Sequence, residues 1–191
     1  TLRANVSTQG GAVFIDDTVT LGADITIDTA VGAAAGANVD FDSTTGSGTV
    51  DGAQTLTIDP GTGGNATFDG AVGSGTPLDA LVVERGGTVT LPAVTTTTDG
   101  VNGVNLGSTA AVGGITLNGN ISTNGGATAD IRLNGPVTLG ANGSLDTDAA
   151  AEGTDAGDVI VTAAVGGGGA NTLSVDTSED GAGADGNIDF Q

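Results

Sequence analysis

QTLTIDPGTGGNATFDG (Gln54–Gly70) holds two short alternating runs, QTLTID and NATFDG, separated by Pro, Gly and Thr. In the first, Leu56 and Ile58 alternate with Thr55, Thr57 and Asp59; in the second, Ala66 and Phe68 alternate with Asn65, Thr67 and Asp69. Successive side chains of an extended chain point to opposite sides, so period-two alternation bounded by turn formers marks a strand with one buried side. The same design recurs along the chain as AVFID (12–16), TVTL (18–21), DITID (24–28), ANVDF (37–41), ALVVE (80–84) and TVTL (88–91). It continues as GITLNG (114–119), ADIRLNG (129–135), DVIVTAAV (158–165), NTLSVD (171–176) and NIDFQ (187–191). None of these reads as an amphipathic helix. With 36 Gly residues and abundant Thr, the composition also favours strands and turns over helix.

The strands recur in a longer pattern. TLRANVSTQGGA (Thr1–Ala12) matches TLNGNISTNGGA (Thr116–Ala127) at an offset of 115, and TVTLGADITIDT (Thr18–Thr29) matches PVTLGANGSLDT (Pro136–Thr147) at 118. TLTID (Thr55–Asp59) then faces TLSVD (Thr172–Asp176), and GNATF (Gly64–Phe68) faces GNIDF (Gly186–Phe190), at offsets of 117 and 122. Strand cores keep their order while the spacers gain or lose residues, as insertions in surface turns do. Residues 1–115 thus read as a first repeat unit and 116–191 as a second, truncated one, within one continuous solenoid. The second copy stops where the first runs on into Gly70, Ala71 and Val72, and the chain begins with Thr1 and no leader. A processed product or internal piece of a longer protein is expected.

Two all-β architectures suit this pattern. A parallel β-helix needs only one or two inward aliphatic residues per strand, with Gly, Asn and Asp at its corners. Tandem β-sandwich domains also fit a period near 115, but immunoglobulin-like sandwiches usually carry a core Trp or corner Tyr, and the chain has neither. The aromatic-poor aliphatic strands favour the parallel β-helix. At roughly 20 residues per rung and about 4.8 Å between rungs, about nine or ten rungs are expected.

Absent residue types exclude several chemistries. Without Cys, His, Met, Trp, Tyr or Lys there is no Ser-His-Asp triad, thiol nucleophile, usual zinc site, P-loop or Schiff-base lysine from this chain. The 23 acidic residues stand against Arg3, Arg85 and Arg132 alone, a formal charge of −20 that repels phosphate backbones and anionic headgroups. Nucleic acid is not an expected partner, and no apolar run of about 18 residues marks a membrane span. The acids are mostly Asp, whose short side chain bonds its own backbone in turns.

The run TVTLGADITIDTA, followed by VDGAQTLTIDPGTGGNATFDGAVGSGTPLDALVVERGGTVTLPAVTTTT (Val50–Thr98), resembles the β-strand-repeat segments of filamentous-haemagglutinin-like exported bacterial proteins. The resemblance implies a β-helical stalk of a long, secreted or surface-attached protein acting in adhesion or as matrix. It supplies no catalytic residues.

Candidate sites are few. Asp176, Glu179, Asp180, Asp185 and Asp189 lie close together on Gly-rich backbone. Such a loop can offer a hard cation several oxygens, so Asp176, Glu179, Asp180 and Asp185 are the calcium candidates, although their spacing is not that of an EF-hand. Calcium is the only cofactor these residues suggest. The pairs Asp40/Asp42 and Asp146/Asp148 share a side at i and i+2, which alternation on an exposed face explains without catalysis. Thr18/Thr20, Thr55/Thr57 and Thr88/Thr90 raise the question of a Thr ladder, but their spacing does not establish one. N-x-S/T sequons begin at Asn5, Asn65, Asn120 and Asn142. The expected function is a non-enzymatic structural segment of an extracellular fibre or surface adhesin stalk, self-assembling end to end. The alternative is a calcium-dependent adhesive or matrix-binding module. Expected partners are copies or neighbouring repeats of the same protein, glycans, and host or matrix surfaces.

Overall fold

The computed structural model describes residues 1–32, 35–41, 48–97, 102–124, 126–148, 155–167, 169–178 and 183–191. Among them there is no helix, and the strands pair in parallel. The first face of the molecule is an eight-stranded sheet of β1 (Val6–Ser7), β4 (Ile25–Asp28), β7 (Thr55–Asp59), β9 (Ala80–Val83), β12 (Val104–Leu106), β15 (Ile131–Leu133), β18 (Val159–Val161) and β21 (Ile188–Phe190). The second face has seven strands: β2 (Val13–Phe14), β5 (Val39–Phe41), β8 (Ala66–Phe68), β10 (Thr88–Leu91), β13 (Gly114–Leu117), β16 (Val137–Leu139) and β19 (Val165–Gly167). The third comprises β3 (Val19–Thr20), β6 (Val50–Asp51), β11 (Val94–Thr96), β14 (Ile121–Thr123), β17 (Gly143–Asp146) and β20 (Leu173–Asp176). Val72 bridges Val50 to Val94 and carries this face across its gap, while the Leu2–Leu21 bridge extends it downward by one level.

The chain visits the first, second and third faces in rotation, which is a parallel β-solenoid and not a sandwich of antiparallel sheets. Each coil is longer than the 20 residues expected from the sequence. Successive partners on the first face lie from 21 residues apart (Val6 to Ile27) to 31 (Ile27 to Ile58), so this face is crossed eight times and not nine or ten. Three strands and three corners per coil account for the difference.

Alternation sets the core. Leu56 and Ile58 stack on Ile25 and Ile27 below and on Leu81 and Val83 above, all buried, while Thr26, Thr57 and Val82 face outward. On the second face, Phe41 and Phe68 occupy the same inward position one coil apart, with ring centroids 4.8 Å apart and planes within 4°. Two glycines at successive levels of one corner permit close stacking: Gly36 (φ +84°) and Gly61 (φ +66°) take left-handed backbone, and a Cβ on either would strike the opposing backbone carbonyl, of Pro60 or of Ala35.

The sequence repeat acquires a geometric meaning here. Val6 of β1 matches Ile121 of β14, and Phe68 of β8 matches Phe190 of β21, yet each pair lies on different faces. From β1 to β14 is thirteen named strands plus the Val72 position, and these fourteen steps are not a multiple of three. The repeat therefore turns by one face: first-face strands match third-face strands, third match second, and second match first. The sheets run unbroken through the 115/116 boundary, which falls inside β13.

Candidate functional site

The outward column of the first face is built from every second residue of its strands: Thr26, Thr57, Val82, Asn105, Arg132, Ile160 and Asp189. Along it lie two open depressions of about 350 and 570 Å³. Both are lined by Asn102 and Asn105, so they join into one groove that runs along the solenoid. Asn5, Asp24 and Thr55 line its lower part, and Asn134 and Thr162 its upper part. Arg132 is held in place by Asp130, at 2.9 Å from Nη2 to Oδ2, and by Asn102 Oδ1, at 2.8 Å from Nε. Asn134 donates to Gly107 O and accepts from the Thr162 hydroxyl. The groove thus offers fixed amides, hydroxyls and one guanidinium to a polar ligand.

A second polar system runs up the corners. Side-chain carbonyls of Asn5, Asn65, Asn120 and Asn142 accept the backbone N–H of Thr26, Thr88, Ser144 and Thr172, each one coil above. Asp24, Asp130 and Asp158 do the same for Thr55, Asp158 and Asn187. The four sequon asparagines are therefore rungs of an intercoil ladder. Sequence reasoning noticed them only as sequons, although an Asn or Asp just before each alternating run was the signal available.

Acidic side chains also close turns. Asp28, Asp59, Asp146 and Asp176 each accept the N–H two residues on, from Ala30, Gly61, Asp148 and Ser178. Of the calcium candidates, Asp176 bonds the Ser178 hydroxyl and N–H, and these bonds lower its pKa. Asp185 is exposed, and Glu179 and Asp180 lie outside the described residues. Among the described residues no group of three or more potential metal ligands comes together. Asp189 faces outward on β21, where it accepts from Gln191. Of the paired carboxylates, Asp40 faces outward beside Phe14 and Thr67, Asp42 lies outside the described residues, and Asp148 is buried.

The strongest charge pairing was not visible in sequence. Asp59 accepts Arg85 Nε at 2.9 Å and Nη2 at 2.6 Å. That bond holds the Asp59 carboxyl below its ordinary value against the opposing effect of burial. Adjacent Glu84 shifts upward, first through burial and then through the Asp59 charge. The Thr-x-Thr pairs fall on three different faces, whereas Thr67, Thr90, Thr116 and Thr138 form an outward column on the second.

No helix is long and apolar enough to cross a membrane among the described residues. Compared with known proteins, the chain matches no protein family, no curated protein and no solved structure.

Proposed function

We propose that this chain is a non-enzymatic structural segment of an extracellular fibre or surface adhesin stalk, in which coils are added end to end. The observation that carries this reading is the unbroken parallel stacking of coils on all three faces, with inward side chains of the outermost described coils left partly uncovered. At the upper end, Ile188 and Phe190 hold inward positions above Val159 and Val161 yet are 48% and 51% exposed. At the lower end, Leu2, Val6, Val13 and Ile15 are only partly covered. Terminal parallel strands also present unpaired N–H and C=O groups, which are templates for further pairing. Another coil, from the same chain or from a second copy, buries both. The resemblance to filamentous-haemagglutinin-like repeats supports the same reading and a place outside the cell or on its surface. Thr, Asn and Asp facing outward keep the sides of such a rod hydrated, and the first-face groove is where glycans or neighbouring fibres would make contact.

Light scattering and electron microscopy over a concentration series test this. Filaments whose length grows with concentration are expected, and a monodisperse monomer at every concentration would overturn the reading.

A further inference from the structure

We infer that the Asp59–Pro60 peptide is a self-scission site, in which the Asp59 carboxyl is the reacting group and Arg85 is the latch that holds it back. The site lies in one buried corner and is independent of how coils are added to the rod.

Of the four prolines, Pro60, Pro77, Pro92 and Pro136, only Pro60 follows an aspartate. An Asp–Pro peptide is the weak link of a polypeptide in acid for two reasons of covalent chemistry. The carboxyl reaches the carbonyl carbon of its own residue through a five-membered ring, and the tertiary proline nitrogen takes up a proton more readily than an ordinary amide. In the scission step, the acid oxygen of Asp59 bonds to that carbon, the carbon–nitrogen bond to Pro60 breaks, and the acid proton leaves with the proline nitrogen. Water then opens the cyclic anhydride, giving one chain that ends in Asp59 and another that begins with Pro60. The balance needs only water, so a chain without Cys, His or Lys can carry it out.

The corner both prepares this bond and restrains it. The carbonyl oxygen of Asp59 accepts the Thr29 N–H at 2.9 Å, and the Thr29 hydroxyl lies 3.4 Å from the same oxygen. Donors placed there stabilise the negative charge that grows on a carbonyl oxygen under attack. Pro60 is buried and closely packed: a Cβ on Gly36 would strike its carbonyl oxygen, and one on Gly86 would come within 3.0 Å of its ring.

The restraint acts on the carboxyl. Asp59 Oδ1 accepts the Gly61 N–H at 2.8 Å and Arg85 Nε at 2.9 Å, while Oδ2 accepts Arg85 Nη2 at 2.6 Å. A forked guanidinium bond fixes the carboxylate in one orientation and keeps it ionised, without the proton that the leaving nitrogen needs. Asp28 below and Glu84 above are the other charged groups that face Asp59 along this column, and both are acids. Arg85 is thus the cation of the cluster, and once it is gone burial favours the protonated acid. The Arg85 side chain is 38% exposed against 8% for Asp59, so it also lies on the solvent side of the carboxyl.

Incubating the folded chain at about pH 4, near the ordinary aspartate value, and reading it by denaturing gel and intact mass tests this. The parent is expected to stay largely whole. R85Q is expected to release fragments 1–59 and 60–191 several-fold faster, with far-UV circular dichroism reporting that the fold persists. R85K keeps the charge but loses the fork, so its rate falls between the two, and it decides the matter if R85Q unfolds. Adding D59E to R85Q, which forces a larger ring, should abolish release. Arg85 variants that stay folded and cut no faster than the parent would overturn the latch. Release undiminished by D59E, or cleavage at another bond, would overturn the assignment of Asp59, and absence of both fragments from every variant would overturn the site.

Discussion

The preponderance of aspartate has a local cause. Asp28, Asp59, Asp146 and Asp176 each fold back on the N–H two residues ahead, a reach that suits Asp and overshoots with Glu. Asp59 does more, because it also takes both Arg85 bonds while nearly buried. Its folded pKa is lowered, so the stability it adds is present above the unfolded value near 3.8 and is lost as pH falls through the folded value. Glu84 runs the other way: its raised folded pKa favours the fold at low pH, and that contribution is lost as pH rises through the folded value. Asp59→Asn is expected to lower stability by about 1.5–3 kcal/mol at neutral pH, and thermal melts should then depend less on pH between about 5 and 2 than those of the parent. Glu84→Gln should stabilise slightly at neutral pH. Melting curves across that range check both, and an unchanged pH slope in Asp59→Asn would discard the pairing as a source of acid sensitivity.

At the level of the element, the strands run from two to five residues, and in a buried three-residue strand such as Ala66–Phe68 or Ile131–Leu133 the middle residue is outward and the outer two inward, with an Asn or Asp just before it. Such a strand has little intrinsic stability, and the coils above and below supply the rest. Phe68 is fully buried and stacked on Phe41, while its neighbour in sequence, Thr67, is half-buried on the outward side of the strand. Phe68→Ala should therefore cost about 3–5 kcal/mol, and Thr67→Ala within about 0.5 kcal/mol of zero. Urea denaturation of the two variants decides whether inward and outward positions are correctly assigned. Alternation made that assignment legible from residues 65–69 alone. The intercoil bonds were not legible, since Asn65 reaches Thr88, 23 residues away, and nothing local reports the length of a coil.

For the whole molecule, parallel stacking places residues of like charge one coil apart. Asp146 lies directly beside Asp176 on the third face, and the total charge is −20. Salt screens such repulsion, with a Debye length of about 10 Å at 0.1 M and about 3 Å at 1 M. Raising NaCl from about 20 mM to about 0.5 M is expected to raise the melting temperature and to lengthen filaments; a fall in both would assign the net effect to Arg85–Asp59 and Arg132–Asp130 instead. By itself the sequence determined that the chain forms short, one-sided strands, that their inward residues are aliphatic, and that the triad, thiol, zinc and lysine chemistries have no residues to work with. Those properties depend only on side-chain type and on period-two geometry. The tertiary structure decided what lies beside what. Each of the three faces asks the same thing of a strand, one or two inward aliphatic side chains, so TLRANVST can build the first face at one level and its match TLNGNIST the third at another. The face is fixed by counting strands and corners along the spiral, and corner lengths carry no signature within the strands they join.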